Sequence, residues 1–133
     1  MNDTAKKMIK AAIAVSKNAY APYSNFHVGA ALLTKDGEII TGCNVENASY
    51  GLTICAERNA VFSAVARKSK KIQAVAIVAD GDPMPYPCGA CRQVLSEFCG
   101  PDTPVYIASI KKPKEIKSLT MGELLPHAFK FAD

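Results

Sequence analysis

The sequence predicts an α/β protein in which helices cover both faces of a mixed β-sheet. Early in the chain, two strand-like runs flank an Asp-Gly pair, which is the signal of an antiparallel hairpin. Helical and strand patterns then alternate through the second half, which favours parallel strands joined by crossover helices. The run from Gln73 to Asp80 is nearly all apolar, as expected of a central strand covered on both faces.

The first element is predicted to be an amphipathic helix from about Thr4 to Tyr20. Asp3 or Thr4 is placed to cap its start, and Pro22 is expected to end it. The residues expected to face the core recur at helical spacing: Ala5, Met8, Ile9, Ala12, Ile13, Ala19 and Tyr20.

The hairpin follows this helix. Its strands are predicted at Phe26–Thr34 and Glu38–Asn44, joined by Lys35-Asp36-Gly37. The segment Asn47–Thr53 is polar and contains a glycine, so it is predicted to be a loop.

A second helix is predicted from Cys55 to about Lys68, ahead of the central strand. Gly81–Tyr86 is a proline-broken loop after that strand. A third helix is predicted at Gly89–Phe98, stopped near Gly100-Pro101.

The last elements predicted from the residue pattern are a fourth strand and a short helix. The strand covers Pro104–Ile110. Thr120-Met121-Gly122-Glu123 fits a capping box for a helix that Pro126 ends.

Length and charge point to one globular domain spanning residues 1–133. The net charge of +4 is mild, and the lysine clusters at 68–71 and 111–117 are interpreted as solvated edges or turns. No aromatic residues are interleaved with these lysines, which counts against nucleic-acid binding.

The first ten residues carry charges and lack the apolar core of a signal peptide, and no run approaches the roughly 20 apolar residues of a membrane span. We therefore expect a cytosolic protein without membrane contact. The cysteine count of five is odd, and in a reducing compartment a disulfide framework is not expected.

Three cysteines and one glutamate form the motif with the clearest chemistry. They stand in Cys55-Ala56-Glu57 and Pro87-Cys88-Gly89-Ala90-Cys91, and both groups lie where a loop becomes a helix. The first turn of a helix stabilises thiolates, because its N–H groups are free and it carries a partial positive charge. Three thiolates leave one position of a tetrahedral zinc open, which is typical of a catalytic site.

Glu57 lies two residues after Cys55, so it can face the metal without binding it. A carboxylate in that place can take a proton from water and deliver it to a leaving group. Zinc with three thiolates carries a net negative charge, and Arg58 is the candidate to offset it by donating hydrogen bonds to sulfur.

Two alternatives remain for these cysteines. The Cys-x-x-Cys pair could be a thioredoxin-like redox motif, which would leave Cys55 and Glu57 unexplained. It could also be half of a structural zinc site, but Cys43 and Cys99 lack a partner at short spacing and His27 sits in a strand among core residues. Cys43 and Cys99 are predicted to be packed thiols.

These residues resemble the zinc-dependent nucleobase deaminases, whose signature is a His or Cys ligand, a Glu two residues on, and then Pro-Cys-x-x-Cys. With cysteine as the first ligand, the chain is similar to the small homotetrameric cytidine deaminases. The resemblance covers nearly the whole chain, from Ala21 to Phe129. The segments that carry it are Phe26–Leu32, Gly42–Ala48, Cys55–Arg58 and Pro87–Gln93.

The resemblance implies a three-layer α/β/α sandwich with a mixed five-stranded sheet, and a homotetramer with shared active sites and one Zn²⁺ per subunit. The reaction it implies is hydrolytic deamination of cytidine and 2′-deoxycytidine to uridine or deoxyuridine and ammonia, in pyrimidine salvage. The metal ligands it implies are Cys55, Cys88 and Cys91, with Glu57 as the catalytic residue.

The resemblance also implies the substrate contacts. Asn44 and Glu46 would bind the ribose, and because they lie two apart on a strand, both side chains would leave on one face. Phe26 would pack against the pyrimidine, and the Ala56 N–H would bond the base O2. The remaining two, Tyr50 and Phe129, would reach a neighbouring subunit's pocket. Plain packing is the alternative for all three aromatic residues.

Two positions depart from the family pattern. Tyr86 stands before Pro87, where a small residue is usual, and His127 occupies a place often held by glycine or another small residue. Tyr86 is expected to alter the rim of the pocket and His127 the subunit contact.

Three rival functions stay open. The first is a deaminase of the same type acting on a cytosine-containing antibiotic such as blasticidin S, against which Asn44 and Glu46 argue. The others are a non-enzymatic zinc or redox module and a polynucleotide deaminase.

Overall fold

A computed structural model describes residues 2–81 and 84–131 of the chain and has the predicted three layers. Helices and strands alternate around one sheet, with a 3₁₀ turn before the second helix. In chain order the elements are α1 (Asp3–Ser16), β1 (Val28–Thr34), β2 (Ile39–Cys43), the 3₁₀ turn (Tyr50–Leu52), α2 (Ala56–Ala66), β3 (Ile72–Ala79), α3 (Gly89–Phe98), β4 (Pro104–Ser109), β5 (Lys112–Thr120) and α4 (Met121–Leu124).

The sheet is mixed and five-stranded, in the order β2-β1-β3-β4-β5. Strand β3 pairs in parallel with β4, and the other pairings are antiparallel. The hairpin of β1 and β2 forms one edge, as the Asp-Gly turn predicts. The fold class is therefore confirmed.

Strand β5 corrects the interpretation of the second lysine cluster. The segment 111–117 was predicted to be an edge or a turn, but Lys112–Thr120 is an edge strand paired with β4. Its side chains are mostly exposed, so the lysines are solvated as expected. The sequence of β5 has few apolar residues because neither face of this strand is deeply buried. Lysines on an edge strand also discourage pairing with another chain.

Helix α1 differs from the prediction at both ends. Its cap is Asn2 rather than Asp3 or Thr4, and the Ala5 N–H donates to Asn2 Oδ1 at 2.6 Å. The helix ends at Ser16, well before Pro22. Tyr20 lies beyond the helix because its backbone pairs with the segment around Val45, a long-range contact that helical spacing does not reveal.

Two hydrophobic cores sandwich the sheet. One joins the buried face of α1 to buried residues of β1, β3 and β4, and the other joins α2, α3 and α4 to the opposite face. Strand β3 contributes to both, since it is buried from Ala74 to Ala79. This confirms the central strand, and the capping box of Thr120 and Glu123 is also present as predicted.

None of the described helices is both long and apolar enough to cross a membrane.

Two glycines let helices approach the sheet closely, one on each face. A Cβ at Gly42 in β2 would lie 2.4 Å from the Ala60 nitrogen and 2.7 Å from the Ala56 carbonyl oxygen of α2. A Cβ at Gly29 in β1 would lie 1.9 Å from the Ala12 carbonyl oxygen of α1. Because these neighbours are backbone atoms, an added methyl group must displace the helix.

The Gly42→Ala substitution is expected to weaken metal binding as well as stability. Overpacking costs about 1–3 kcal/mol of unfolding free energy, and the displaced helix carries Cys55 and Glu57 at its start. Gly29→Ala is the matched control, because α1 carries none of the predicted ligands. Both variants should melt at lower temperature, but only Gly42→Ala should lose zinc to a weak chelator more readily. Equal zinc retention in the two folded variants would contradict this prediction.

Candidate metal and active site

The three predicted cysteine ligands lie at the starts of two helices. Cys55 is the N-cap residue of α2, and Cys88 is the N-cap residue of α3. Cys91 lies in the first turn of α3, and its backbone N–H donates to Cys88 Sγ at 3.5 Å. Each sulfur therefore lies at the positive end of a helix dipole, where a thiolate is favoured.

The three sulfurs lie within 4.8 Å of one another and form the one group of three potential metal ligands found within residues 2–81 and 84–131. Cys55 Sγ and Cys88 Sγ are 3.9 Å apart. Tetrahedral zinc with Zn–S bonds of about 2.3 Å requires sulfurs about 3.8 Å apart. The spacing and the soft thiolate donors therefore fit zinc.

Arg58 lies against the cysteine cluster. Its Nη2 donates to Cys55 Sγ at 3.4 Å, while its buried Nε has no partner among the described residues. A hydrogen bond with the Cys91 thiol, followed by the contacts with Arg58 and Cys88, lowers the pKa of Cys55 to about 5, although burial opposes this. The same Cys55 contact, with burial, raises the pKa of Cys91. A metal ion binds the thiolate form of cysteine, so its binding at these sulfurs would release protons.

Glu57 is buried beside the sulfurs, with 5% of its surface exposed. Burial raises the pKa of its carboxyl group to about 7, and the nearby negative charge of Cys55 adds to this, while the Glu57 backbone N–H and Arg58 lower it. A carboxyl group that titrates near neutrality can both accept and release a proton, as general acid–base catalysis requires.

The cluster opens into a cavity of about 230 Å³. Its wall includes Phe26, Asn44, Ala56 and Tyr86, together with Cys55, Glu57 and Cys88. Four predicted site residues that are not metal ligands therefore line the same cavity as the cysteine cluster: Phe26, Asn44, Ala56 and Glu57. A Cβ at Gly81 would lie 3.0 Å from the Phe26 ring, so this ring packs directly against the backbone that follows β3.

Asn44 is buried and fixes the entry to β1. Its Nδ2 donates to the Phe26 carbonyl oxygen at 2.8 Å, and its Oδ1 accepts from the Val28 N–H at 2.9 Å. The predicted strand Glu38–Asn44 ends one residue early at Cys43, so Asn44 and Glu46 both lie beyond β2. The backbone between them leaves the sheet because Val45 forms isolated bridges to Tyr20 and Ile54.

Glu46 lies in a neighbouring cleft rather than in the metal cavity. Tyr23, Ser24, Tyr50 and Thr53 line this cleft with it, and Thr53 borders both spaces. The carboxylate accepts hydrogen bonds from the backbone of Tyr23 and from Ser24. Within one chain, the structure therefore brings Glu46 beside the metal cavity but not into it.

The two residues expected to reach another subunit are exposed. Tyr50 is 77% exposed and its ring meets the Tyr23 ring edge-on at 6.1 Å, while Phe129 is 69% exposed. Neither lines the metal cavity of its own chain.

The two positions that depart from the family pattern have distinct environments. Tyr86 lines the cavity rim, and Lys117 Nζ lies 5.7 Å from its ring centroid. His127 has a φ of 55°, in the left-handed region that favours glycine.

Sequence reasoning missed several supporting residues. Asp80 accepts from the His27 backbone at 2.9 Å and bonds the His27 ring Nδ1 at 2.7 Å, and these bonds outweigh burial to lower the pKa of Asp80. Arg92 donates to the carbonyl oxygens of Pro87 and Leu124 at 2.7 and 2.9 Å, which fixes the turn before Cys88. Asp80 lies 53 positions from His27 and Leu124 lies 32 positions from Arg92, so only the position of Arg92 directly after Cys91 was a signal.

The chain is similar in sequence to known deaminases. Residues 2–108 match a family model described as the cytidine and deoxycytidylate deaminase zinc-binding region. The cytidine deaminase of Halalkalibacterium halodurans is 53% identical over 127 residues, which cover 95% of this chain and 94% of that protein. The cytidine deaminase of Sporosarcina psychrophila is 47% identical, with 96% and 93% covered.

The fold of the chain is also similar to those of solved structures. The crystal structure of cytidine deaminase from Burkholderia pseudomallei aligns with a TM-score of 0.87 and 46% identity, covering 97% of this chain and all of that one. The cytidine deaminase from Mycobacterium tuberculosis aligns with a TM-score of 0.83 and 38% identity, covering 98% and 100%.

Proposed function

This chain belongs to the cytidine and deoxycytidylate deaminase family, and on that premise we propose that it hydrolyses cytidine and 2′-deoxycytidine to uridine or deoxyuridine and ammonia. It is a hydrolase of the cytidine deaminase type. The observation that carries the proposal is the cluster of three sulfurs beside the buried carboxyl group of Glu57, at the base of a cavity large enough for a pyrimidine.

The metal ligands are Cys55, Cys88 and Cys91, with one Zn²⁺ per chain. Zinc in this place would supply a Lewis acid that makes water nucleophilic at neutral pH. Glu57 would take a proton from the attacking water and give it to N3 of the cytosine ring while the oxygen bonds to C4. It would then take the remaining proton of that oxygen and give it to the 4-amino group, so that the C4–N bond breaks and ammonia leaves. The pKa of about 7 suits Glu57 to this exchange. Arg58 offsets the negative charge of the three thiolates.

The substrate contacts follow from the cavity wall and from the resemblance. Phe26 packs against the pyrimidine, and the Ala56 N–H, free at the start of α2, bonds the base O2. Asn44 and Glu46 bind the ribose, with Glu46 reaching it from the adjoining cleft. A site built to bond a sugar hydroxyl strongly disfavours a substrate that lacks it.

The active unit is proposed to be a homotetramer of single-domain chains with shared active sites. Tyr50 and Phe129 would complete a neighbour's pocket, and their exposure of 77% and 69% leaves both free for this contact. A role in pyrimidine salvage follows from a nucleoside substrate. The five unpaired cysteines suit the reducing conditions of the cytosol.

The test is the loss of ultraviolet absorbance when the purified protein is mixed with cytidine. We expect turnover of cytidine and deoxycytidine, inhibition by a zinc chelator, recovery when zinc is restored, and little activity on blasticidin S. A metal-free protein with full activity would overturn the zinc assignment. A zinc-loaded protein that leaves cytidine intact would overturn the proposed reaction.

A further inference from the structure

One hydroxyl group connects the two residues proposed to bind the base and the sugar. Ser24 Oγ accepts a hydrogen bond from the Phe26 backbone N–H at 3.0 Å and donates one to Glu46 Oε2. Phe26 and Glu46 lie in different spaces, the metal cavity and the adjoining cleft. Ser24 is therefore the shortest polar link between them.

The rest of the Glu46 carboxylate is also held by this turn. Its Oε1 accepts from the backbone N–H groups of Tyr23 at 2.9 Å and Ser24 at 3.1 Å. The hydrogen bond from the Ser24 hydroxyl is the largest influence on the Glu46 carboxyl group and lowers its pKa. Burial opposes this, and the backbone hydrogen bonds and the charge of His27 add to the lowering. The carboxylate is consequently ionised at neutral pH.

Counting acceptor positions shows where a ligand must bind. An ionised carboxylate offers about four lone-pair positions, two on each oxygen. The turn occupies both positions on Oε1 and one on Oε2. No other donor among the described residues reaches Glu46, so the position that remains is on Oε2, the oxygen that Ser24 orients. A sugar hydroxyl must therefore donate beside the Ser24 hydroxyl.

We propose that Ser24 is a positioning residue: its hydroxyl group orients Glu46 Oε2 toward a hydroxyl of the ribose, and its Oγ accepts the hydrogen bond that fixes the backbone of Phe26. This inference rests on the proposed function. It predicts that the Ser24 hydroxyl contributes to the selection of the sugar as well as to structure.

The Ser24→Ala variant tests this by comparing two substrates. Cytidine carries hydroxyl groups at the 2′ and 3′ positions of the ribose, and either could donate a hydrogen bond to Glu46. 2′,3′-Dideoxycytidine lacks both of these hydroxyl groups. The ratio of kcat/KM for cytidine to that for dideoxycytidine should fall about tenfold in the variant, since the hydrogen bonds concerned involve a charged group. A purely structural defect would slow both substrates equally. Ser24→Thr keeps the hydroxyl group, and the position is exposed, so the substrate ratio of this variant should equal that of the parent protein.

Ser109→Ala is the matched control. Ser109 Oγ also accepts from the backbone N–H two residues on, that of Lys111, at 3.2 Å. Within residues 2–81 and 84–131 it bonds no carboxylate, and it lies outside both cavities. Its substrate ratio should equal that of the parent protein.

The outcomes separate the inference from the function it rests on. If the parent protein prefers cytidine but Ser24→Ala and Ser109→Ala give the same ratio, the role of Ser24 is overturned while the deaminase activity stands. If the parent protein does not distinguish cytidine from dideoxycytidine, the contact of Glu46 with the sugar is overturned together with the role of Ser24. If cytidine is not turned over, the proposed function itself is wrong.

Discussion

Replacing Glu57 with glutamine is expected to lower kcat for cytidine by about 10²- to 10⁴-fold while the protein keeps its zinc. Glutamine is close in size to glutamate, so the buried place beside Cys55 stays filled and the sulfurs keep their positions. An amide cannot accept the proton of water and pass it on at neutral pH, so the proton transfers lose their carrier. Steady-state kinetics with metal analysis of the same sample measures both quantities.

Glu97→Gln is the matched control for this substitution. It makes the same chemical change at an exposed position of α3 that lies outside the metal cavity. Its kcat and zinc content should equal those of the parent protein. Near-normal turnover in Glu57→Gln would remove Glu57 from the mechanism, and loss of zinc in that variant would mean that the carboxyl group holds the metal site together.

The parts of the fold that the sequence predicts are those set by local pattern and burial. Strand β3 is apolar on both faces because it belongs to both cores, so its run of alanine, valine and isoleucine predicts a central strand. Helix α3 was predicted with its observed bounds because glycine and proline flank it. Strand β5 was missed because its lysine-rich face is solvated, and only pairing with β4 makes Lys112–Thr120 extended.

The candidate site likewise has parts that the sequence predicts and parts that it does not. Cys88 and Cys91 are three residues apart at the start of α3, so their proximity follows from local spacing. Cys55 lies 33 positions from Cys88 and joins the predicted cluster through the deaminase signature rather than through spacing. The contacts of Ser24 with Glu46 span 22 positions, and those of His27 with Asp80 span 53. Contacts of this kind depend on how the loops meet after folding, so neither pair was predicted from residue pattern.

Cys91→Ser is expected to abolish zinc binding and deaminase activity together. Cys91 is fully buried at the centre of the cluster, and serine has nearly the same shape. A hydroxyl group keeps its proton at neutral pH, so it replaces a thiolate poorly as a zinc ligand. Only two sulfurs would remain to hold the ion, so the variant should lose its zinc during dialysis against a weak chelator. Zinc per chain, measured by atomic absorption, reports this directly.

Thermal unfolding distinguishes loss of a ligand from a general packing defect. A ligand that binds only the folded state raises its stability in proportion to the logarithm of its concentration over Kd. The melting temperature of the parent protein should therefore drop when chelator is added, whereas that of Cys91→Ser should not respond. Cys43→Ser is the matched control, because Cys43 is a partly buried thiol outside the cluster whose pKa is raised by burial. It should keep its zinc and its response to chelator. If Cys91→Ser also kept both, the three sulfurs would not be the metal site, and the reaction proposed for Glu57 would lose its source of activated water.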